Sequence, residues 1–387
     1  MRLRILNYPW HVGHQYELHR LPHDFVLLAG EGFRRWNFRS RPLQPNVSFA
    51  PAAGVGDGRG YDLAILHFDE EILQPSSSAP YPFQRLFESL RIPIIALCHG
   101  PAPFRGADGD PAAAEGGTQG AGPTSGAGVT VDEEKRRAVV DLIGDRALVV
   151  ANSHQAAREW RFPRARTIWH GLDPADYPQA TYEKKVLTVI NSLARKPVYQ
   201  GYDLYKVVSA GLPCDYLGKD PEREFRRVSV PSPALNPWRV LWNAADFAFG
   251  SDDLARGARG WRRFVSDGYA RSRFGAYRDL IARYSAYFNP TRRSPMPRSR
   301  LEALFCGLAL VTTRHHDVEM WLEDGVTGYA SNDPAVLRER LRALCADPAL
   351  CRRLGRAGRE MAHDRFHVRH YLARWQEAIA ETMDARR

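Results

Sequence analysis

Arg298-Ser299-Arg300-Leu301-Glu302-Ala303-Leu304-Phe305-Cys306-Gly307-Leu308-Ala309-Leu310-Val311-Thr312-Thr313, continued by Val318-Glu319-Met320-Trp321-Leu322-Glu323-Asp324-Gly325-Val326-Thr327-Gly328, is the stretch that decides the fold. Two prolines, Pro295 and Pro297, precede it, and a proline suits the first positions of a helix, so a helix is expected around Leu301 to Cys306. The β-rich run Ala309 to Thr312 follows as a strand and Val318 to Leu322 as a second helix. Helix, strand and helix in so short a span is the alternation of an α/β layer built on a parallel sheet.

The alternation continues upstream. Strands are expected at Leu3 to Asn7, Phe25 to Ala29, Asp62 to His67, Pro93 to Cys98 and Ala147 to Ala151. Helical segments are expected at Tyr16 to Leu21, Phe83 to Leu90, Asp132 to Ile143 and His154 to Trp160. Together they make one Rossmann-like domain, residues 1–172, and residues 173–185, rich in Pro, Tyr and charge, form a linker. A second domain, residues 186–366, opens with a strand at Val186 to Asn191, a helix at Gly201 to Ala210 and a strand at Cys214 to Leu217. It goes on with a helix at Trp238 to Ala245 and a helical region from Phe264 to Tyr284 that ends at Tyr287-Phe288-Asn289-Pro290. Apolar residues at three-to-four spacing mark two closing helices, Leu337, Leu341 and Leu344 in the first, and Leu372, Trp375 and Ile379 in the second, which occupies 367–387.

Composition narrows the classes. A chain of 387 residues, 44% of them hydrophobic, can bury two ordinary cores. The formal charge of +10 favours anionic partners, and arginines are dense from Arg223 to Arg300 (Arg226, Arg227, Arg239, Arg256, Arg259, Arg262, Arg263, Arg271, Arg273, Arg278, Arg283, Arg292, Arg293). Part of that stretch should face solvent, and a peripheral contact with an anionic membrane is its functional version. No recognised nucleic-acid module accompanies the charge, so no nucleic acid is expected as partner. Cys98, Cys214, Cys306, Cys345 and Cys351 lack a C-x-x-C pair and stand beside apolar residues, so they read as small buried hydrophobes in a reducing compartment, with no metal site. The apolar opening Leu3 to Leu6 is too short for a signal peptide, and no window approaches the ~20 apolar residues of a membrane span. A cytoplasmic location, at most peripheral to the inner face of the membrane, is expected. Residues 106–130 are a low-complexity Gly, Ala, Ser and Thr stretch, expected as a disordered or mobile loop directly after Cys98-His99-Gly100-Pro101.

The opening stretch resembles the donor site of retaining family-4 glycosyltransferases (glycosyl transferases group 1), whose pattern P-x-x-x-x-E-A-x-x-C-G-x-P-V-V it follows from Pro297 through Val311, and the continuation from Val318 to Tyr329 resembles the family's E-x-x-x-D-G-x-T-G run. The resemblance implies the GT-B architecture: two Rossmann-like domains facing each other across a cleft, the C-terminal helix returning to the N-terminal domain. It implies transfer of a sugar from a nucleoside-diphosphate sugar to a glycan, lipid-linked or small-molecule acceptor, with retention, without a metal and without a cofactor. The stretch Val149-Val150-Ala151-Asn152-Ser153 and the segment Ile168-Trp169-His170-Gly171-Leu172-Asp173 resemble further landmarks of the family.

Residue by residue, the resemblance places Glu302 on the ribose diol of the donor, since a carboxylate accepts hydrogen bonds from both hydroxyls. Met296, Pro297, Arg298, Ser299 and Leu301 belong to the same helix start, whose free amides suit a diphosphate. Ser294 stands where the family carries a glutamate that contacts the transferred sugar. The family's diphosphate-binding Arg and Lys fall in Asn191 to Gly201, where Gln200 replaces the Lys before Gly and Arg195 or Lys196 supplies the positive charge. His99, at the carboxyl end of a strand, is the contact to the reacting sugar, as ligands of open α/β sheets bind at that end. In the first loop Trp10, Gly13, His14 and Tyr16 are the acceptor-binding candidates. A nucleotide-sugar epimerase or hydrolase, and a non-catalytic binding protein on the same fold, remain as alternatives.

Overall fold

The computed structural model describes residues 1–73, 82–105, 130–219, 226–232, 236–245 and 260–385. The loop expected over 106–130 therefore falls, Thr130 apart, outside the described residues, as do Arg256 and Arg259.

The first sheet is built from β1 (Arg4–Asn7), β2 (Asp24–Ala29), β3 (Val47–Pro51), β4 (Leu63–Phe68) and β5 (Ile94–Cys98), then, past a short antiparallel ribbon of β6 (Phe104–Arg105) and β7 (Thr130–Val131), from β8 (Ala147–Ala151) and β9 (Ala165–Thr167). Its seven strands are all parallel, in the order β3-β2-β1-β4-β5-β8-β9. Successive residues enter opposite cores: Ile5, Ile65, Leu97 and Val150 face one side, and Leu6, Leu66, Ala96 and Val149 the other. Covered faces on both sides explain why these strands read as unbroken apolar runs. The helices between them are α1 (Val12–Leu18), α2 (Pro82–Ser89), α3 (Glu133–Ile143) and α4 (His154–Trp160).

The second sheet holds β10 (Lys184–Val189), β11 (Cys214–Leu217), β12 (Tyr284–Asn289), β13 (Ala309–Thr312) and β14 (Tyr329–Ala330), parallel throughout, in the order β11-β10-β12-β13-β14. Its helices are α5 (Pro197–Gln200), α6 (Tyr202–Ser209), α7 (Trp261–Ala282), α8 (Arg298–Cys306), α9 (Pro334–Ala346) and α10 (Pro348–Arg365). Two expectations change here. The residues after Ala282 are not a helix end but the strand β12, which takes the centre of the sheet, and Val318 to Leu322 forms only a 3₁₀ turn, Val318–Met320. The fold is otherwise the expected pair of Rossmann-like domains.

Two helices tie the halves together. α11 (Val368–Asp384) returns to the first domain, where Tyr371, Trp375 and Ile379 join the core formed by Ile5, Leu97 and Leu148. Each large apolar side chain buried this way contributes roughly 1.5–3 kcal/mol. α7 spans both cores, with Val265 and Tyr269 in the first and Phe274 and Leu280 in the second. The chain reaches α11 past Gly171, where an added Cβ would lie 2.4 Å from the Tyr371 Cβ and 3.1 Å from the Val368 Cα. Gly171→Ala should therefore cost about 1–3 kcal/mol by pushing the closing helix off the domain. Chemical denaturation measures it, and unchanged stability would contradict the seating of α11.

Several arginines of the basic stretch are held in ion pairs. Arg263 pairs with Asp267, Arg278 with Asp176, Arg283 with Glu183, Arg292 with Asp203 and Arg293 with Glu159. Among the described residues no helix is long and apolar enough to cross a membrane.

Candidate active site

The carboxyl ends of both sheets meet at one cleft. From the first domain come the loop after β1, the ends of β4 and β5, and His170; from the second come the loop after β10, the segment leading into α8, and His315 to Asp317. The first domain's side is lined by imidazoles. His11 and His99 have ring centroids 4.4 Å apart, His14 and His99 5.4 Å, His14 and His170 5.0 Å, and His67 and His99 5.1 Å. Loss of solvation, reinforced by the neighbouring rings of His11, His67, His14 and His170, holds His99 well below the usual imidazole range, so it is neutral near pH 7. His14 is buried, its Nε2 2.8 Å from the Tyr371 hydroxyl, while its Nδ1 and that of His170 have no hydrogen-bond partner among the described residues. Buried polar atoms left open in this way suit a hydroxyl-rich ligand or ordered water.

Acidic groups stand beside the imidazoles, and the sequence reading passed over them. Asp69, Glu70 and Glu71 follow β4 directly, and the Glu70 carboxylate packs so closely on Gly100 that a Cβ there would meet its Oε2 at 1.7 Å. Burial first, then Asp69, pushes the Glu70 carboxyl up to about 8, against the pull of Lys196. The rule that placed His99, ligands at the carboxyl ends of strands, applies equally to β4 and was sufficient to find them.

Charged contacts close the cleft around this centre. Lys196 Nζ lies 2.7 Å from Glu71 Oε1 and 3.9 Å from Glu70 Oε1. Arg293 pairs with Glu159 at 3.1 Å, and its guanidinium lies 3.6 Å from the centroid of the Phe104 ring. Asp317 accepts from the His154 and Gln155 amides at the start of α4 (2.6 and 3.1 Å) and from the Trp169 indole at 2.7 Å, so a carboxylate of the second domain caps a helix of the first. Ser153 Oγ and His316 Nδ1 are 3.0 Å apart.

The expected donor-binding residues divide. Ser299 Oγ donates to the Val189 carbonyl (3.0 Å) and accepts from the Tyr287 hydroxyl (2.8 Å), which fixes the start of α8 beside the end of β10. Pro297 holds the N-cap position, and Ser294 is half-buried in the segment before it, bonded to Tyr199. Arg195 is exposed on the loop after β10, and Gln200 accepts from Thr291 Oγ1 at 3.2 Å, a neutral tie where the family pattern has a cation. Gly201, with φ +71°, could not carry a side chain, since its Cβ would lie 2.1 Å from the Pro290 carbonyl oxygen.

Other expectations are corrected. Glu302 is 2% exposed, and its carboxylate is fully engaged: Oε1 with Arg41 (2.5 Å), Arg298 (3.1 Å) and the Tyr177 hydroxyl (3.3 Å), Oε2 with the Tyr277 hydroxyl (2.6 Å). Burial opposes its charge, yet Arg41 and Arg298, with the Tyr277 hydroxyl, outweigh that and hold its carboxyl below the ordinary value. It faces α7 rather than the cleft, so in this structure it offers no acceptor to a ribose. Arg298 spans from Glu302 to Glu17 (2.7 Å), which makes it a link between the domains, and Gly13 is small because the Arg298 Cδ would lie 2.9 Å from a Cβ there. Leu301 is wholly buried in the second core, and Met296 is buried with its sulfur accepting from the His170 amide at 3.3 Å. Trp10 and Tyr16 are packing residues: α1 begins at Val12, earlier than expected, so Trp10 is buried against Tyr8 and Arg34, and Tyr16 edges onto Phe274 of α7. Of the acceptor candidates, His14 adjoins His99.

Comparisons with known proteins agree with the fold. Residues 234–377 match the family model described as "Glycosyl transferase-like". Over 122 residues the chain is 29% identical to the alpha-maltose-1-phosphate synthase of Mycobacterium tuberculosis, a match spanning 30% of this chain and 30% of that relative's length. Among solved structures it is similar to a sucrose-phosphate synthase from Thermosynechococcus elongatus (TM-score 0.61, 12% identity, 99% of this chain and 100% of that one). It is similar also to Anabaena HepE in complex with UDP and glucose (TM-score 0.58, 14% identity, 98% and 100%). At such identity these likenesses establish the fold, which is GT-B across the full chain.

Proposed function

We propose that this GT-B chain, which resembles the group-1 glycosyltransferases, is itself a glycosyltransferase that moves a sugar from a nucleoside-diphosphate sugar to a hydroxyl acceptor. The observation that carries the reading is the position of His99: a neutral imidazole at the carboxyl end of β5, in the cleft opposite the start of α8 and the loop bearing Arg195 and Lys196. In this reading the helix start and those two cations take the diphosphate, and His99 meets the sugar. Lys196 would exchange its carboxylate partner Glu71 for the leaving phosphate. Orientation and stabilisation of leaving-group charge supply the catalysis, with retention and without a metal, the departing phosphate helping to deprotonate the acceptor. His14 and the Glu70 carboxyl lie on the acceptor's side.

A second reading, a binding protein without turnover, is favoured by one observation: neither member of the family's glutamate pair is available, since Ser294 replaces the first and Glu302 is sequestered. A thermal-shift screen of nucleoside diphosphates and their sugars, beginning with UDP and UDP-glucose, tests donor binding common to both. A ligand at a hundred times its Kd stabilises the native state by about 2.7 kcal/mol. A rise in Tm for one nucleotide family is expected, and none across the screen removes the donor site.

A further inference from the structure

The imidazole at the end of β5 is not left to choose its own protonation pattern. His67, on the neighbouring strand β4 and 0% exposed, uses both ring nitrogens: Nε2 lies 2.7 Å from Asn7 Oδ1, and Nδ1 lies 2.9 Å from His99 Nε2. The planes of the His67 and His99 rings are 19° apart, the side-by-side, near-coplanar placement that an in-plane N–H···N hydrogen bond needs.

The direction of each bond follows from the next. The Tyr8 amide donates to Asn7 Oδ1 at 2.6 Å, and a backbone N–H donates only to an acceptor, so the Asn7 amide has its oxygen on this side. Gln15 Nε2 donates one hydrogen to the Tyr8 carbonyl at 2.8 Å and lies 3.3 Å from Asn7 Oδ1 and 3.2 Å from His67 Nε2. The acceptor Asn7 Oδ1, at 2.7 Å, is much nearer to His67 Nε2 than the Gln15 amide, at 3.2 Å, so His67 Nε2 carries the proton and the second Gln15 hydrogen goes to Asn7 Oδ1. Burial, with the nearby rings of His11 and His19, keeps His67 neutral, so its Nδ1 is a lone pair and accepts from His99 Nε2–H. His99, half-buried at the cleft, is then left with a lone pair on Nδ1, its ring being hydrogen-bonded among the described residues through Nε2 to His67.

We propose that Asn7 and His67 are positioning residues that lock His99 in the Nε2–H tautomer, so that its Nδ1 meets a substrate hydroxyl as a hydrogen-bond acceptor only. The inference rests on the transferase reading for its consequence, but the tautomer itself does not. A hydroxyl facing this nitrogen must donate, which orients its oxygen lone pairs away from His99 and fixes one sugar orientation among those that a mixed tautomer would allow. Second-layer partners that fix an imidazole's tautomer elsewhere alter function by about 10–100-fold when removed, and the same range is expected here.

The test uses the full chain labelled with ¹⁵N at histidine, His99 being assigned by loss of its signals in His99→Gln. The expected wild-type spectrum has His99 protonated at Nε2 and bare at Nδ1. In Asn7→Leu and His67→Phe the tautomers of His99 should mix, and kcat should fall about 10–100-fold while the donor KM stays within about twofold. His67→Asn, whose amide oxygen can take the place of the lost Nδ1, should restore at least part of kcat. A wild-type His99 protonated at Nδ1, or one whose tautomer is indifferent to both substitutions, overturns the proposal. The wild-type spectrum decides the matter even if the variants fold poorly. A locked tautomer in a chain that transfers no sugar would refute the transferase reading and leave the lock standing.

Discussion

Glu302→Ala lowers the stability of the protein by about 3–5 kcal/mol, the cost of leaving a buried guanidinium without its partner. Arg41 is 6% exposed at the side chain, and its ion pair is with Glu302 at 2.5 Å, so it loses most, while Arg298 keeps Glu17. The effect should be non-additive, Arg41→Ala costing little more once Glu302 is gone, as members of one network share their energy. pH adds a second signature. The Glu302 carboxyl is held below its ordinary value in the folded chain, so its contribution is complete above the unfolded value of about 4.3 and is lost as pH falls through the depressed folded value. Denaturation at acid pH should therefore narrow the gap between Glu302→Ala and the parent chain. Unchanged stability joined to lost nucleotide affinity would instead return Glu302 to the ribose.

His99→Ala should reduce kcat about 10²–10³-fold, the range seen when one aligned hydrogen-bonding group is removed from a reacting centre. Nucleoside-diphosphate affinity should change by less than about threefold, under 1 kcal/mol, since the diphosphate cradle proposed above lies on the other domain. That split separates the sugar contact from the nucleotide contact. His99 is half-buried beside Cys98 and Gly100, and alanine leaves β5 intact, so a fall in both quantities together would mean that His99 holds the cleft rather than the sugar.

The outcome at Glu302 shows where reading a sequence stops. Strands such as Ala147–Ala151 were legible residue for residue because burial on both faces demands an unbroken apolar run. β12 was not: Tyr284-Ser285-Ala286-Tyr287-Phe288-Asn289 carries polar Ser285 and Asn289 and two tyrosines, and no proline or glycine separates it from the helix that ends at Ala282. α10 was overlooked although Asp347-Pro348 signals its start, the Asp347 side chain accepting from the Ala349 and Leu350 amides, the same device that opens α9 at Asp333-Pro334. His99 could be singled out because strand end, glycine and proline are adjacent in the chain. The partner that occupies Glu302 is 261 residues away at Arg41, in a loop without periodicity, and no local pattern reports such a pairing. For the same reason the Asn7, His67 and His99 chain, drawn from three separate strand ends, emerges only once β1, β4 and β5 lie side by side.

The central claim is sugar transfer, and nucleoside-diphosphate release from a nucleotide sugar, followed with and without a panel of hydroxyl acceptors, tests it most directly. The account predicts release that depends on an acceptor and yields a glycosylated product with the anomeric configuration of the donor. Release that proceeds equally without any acceptor would assign a hydrolase, and tight donor binding with no release across the panel would contradict a transferase altogether.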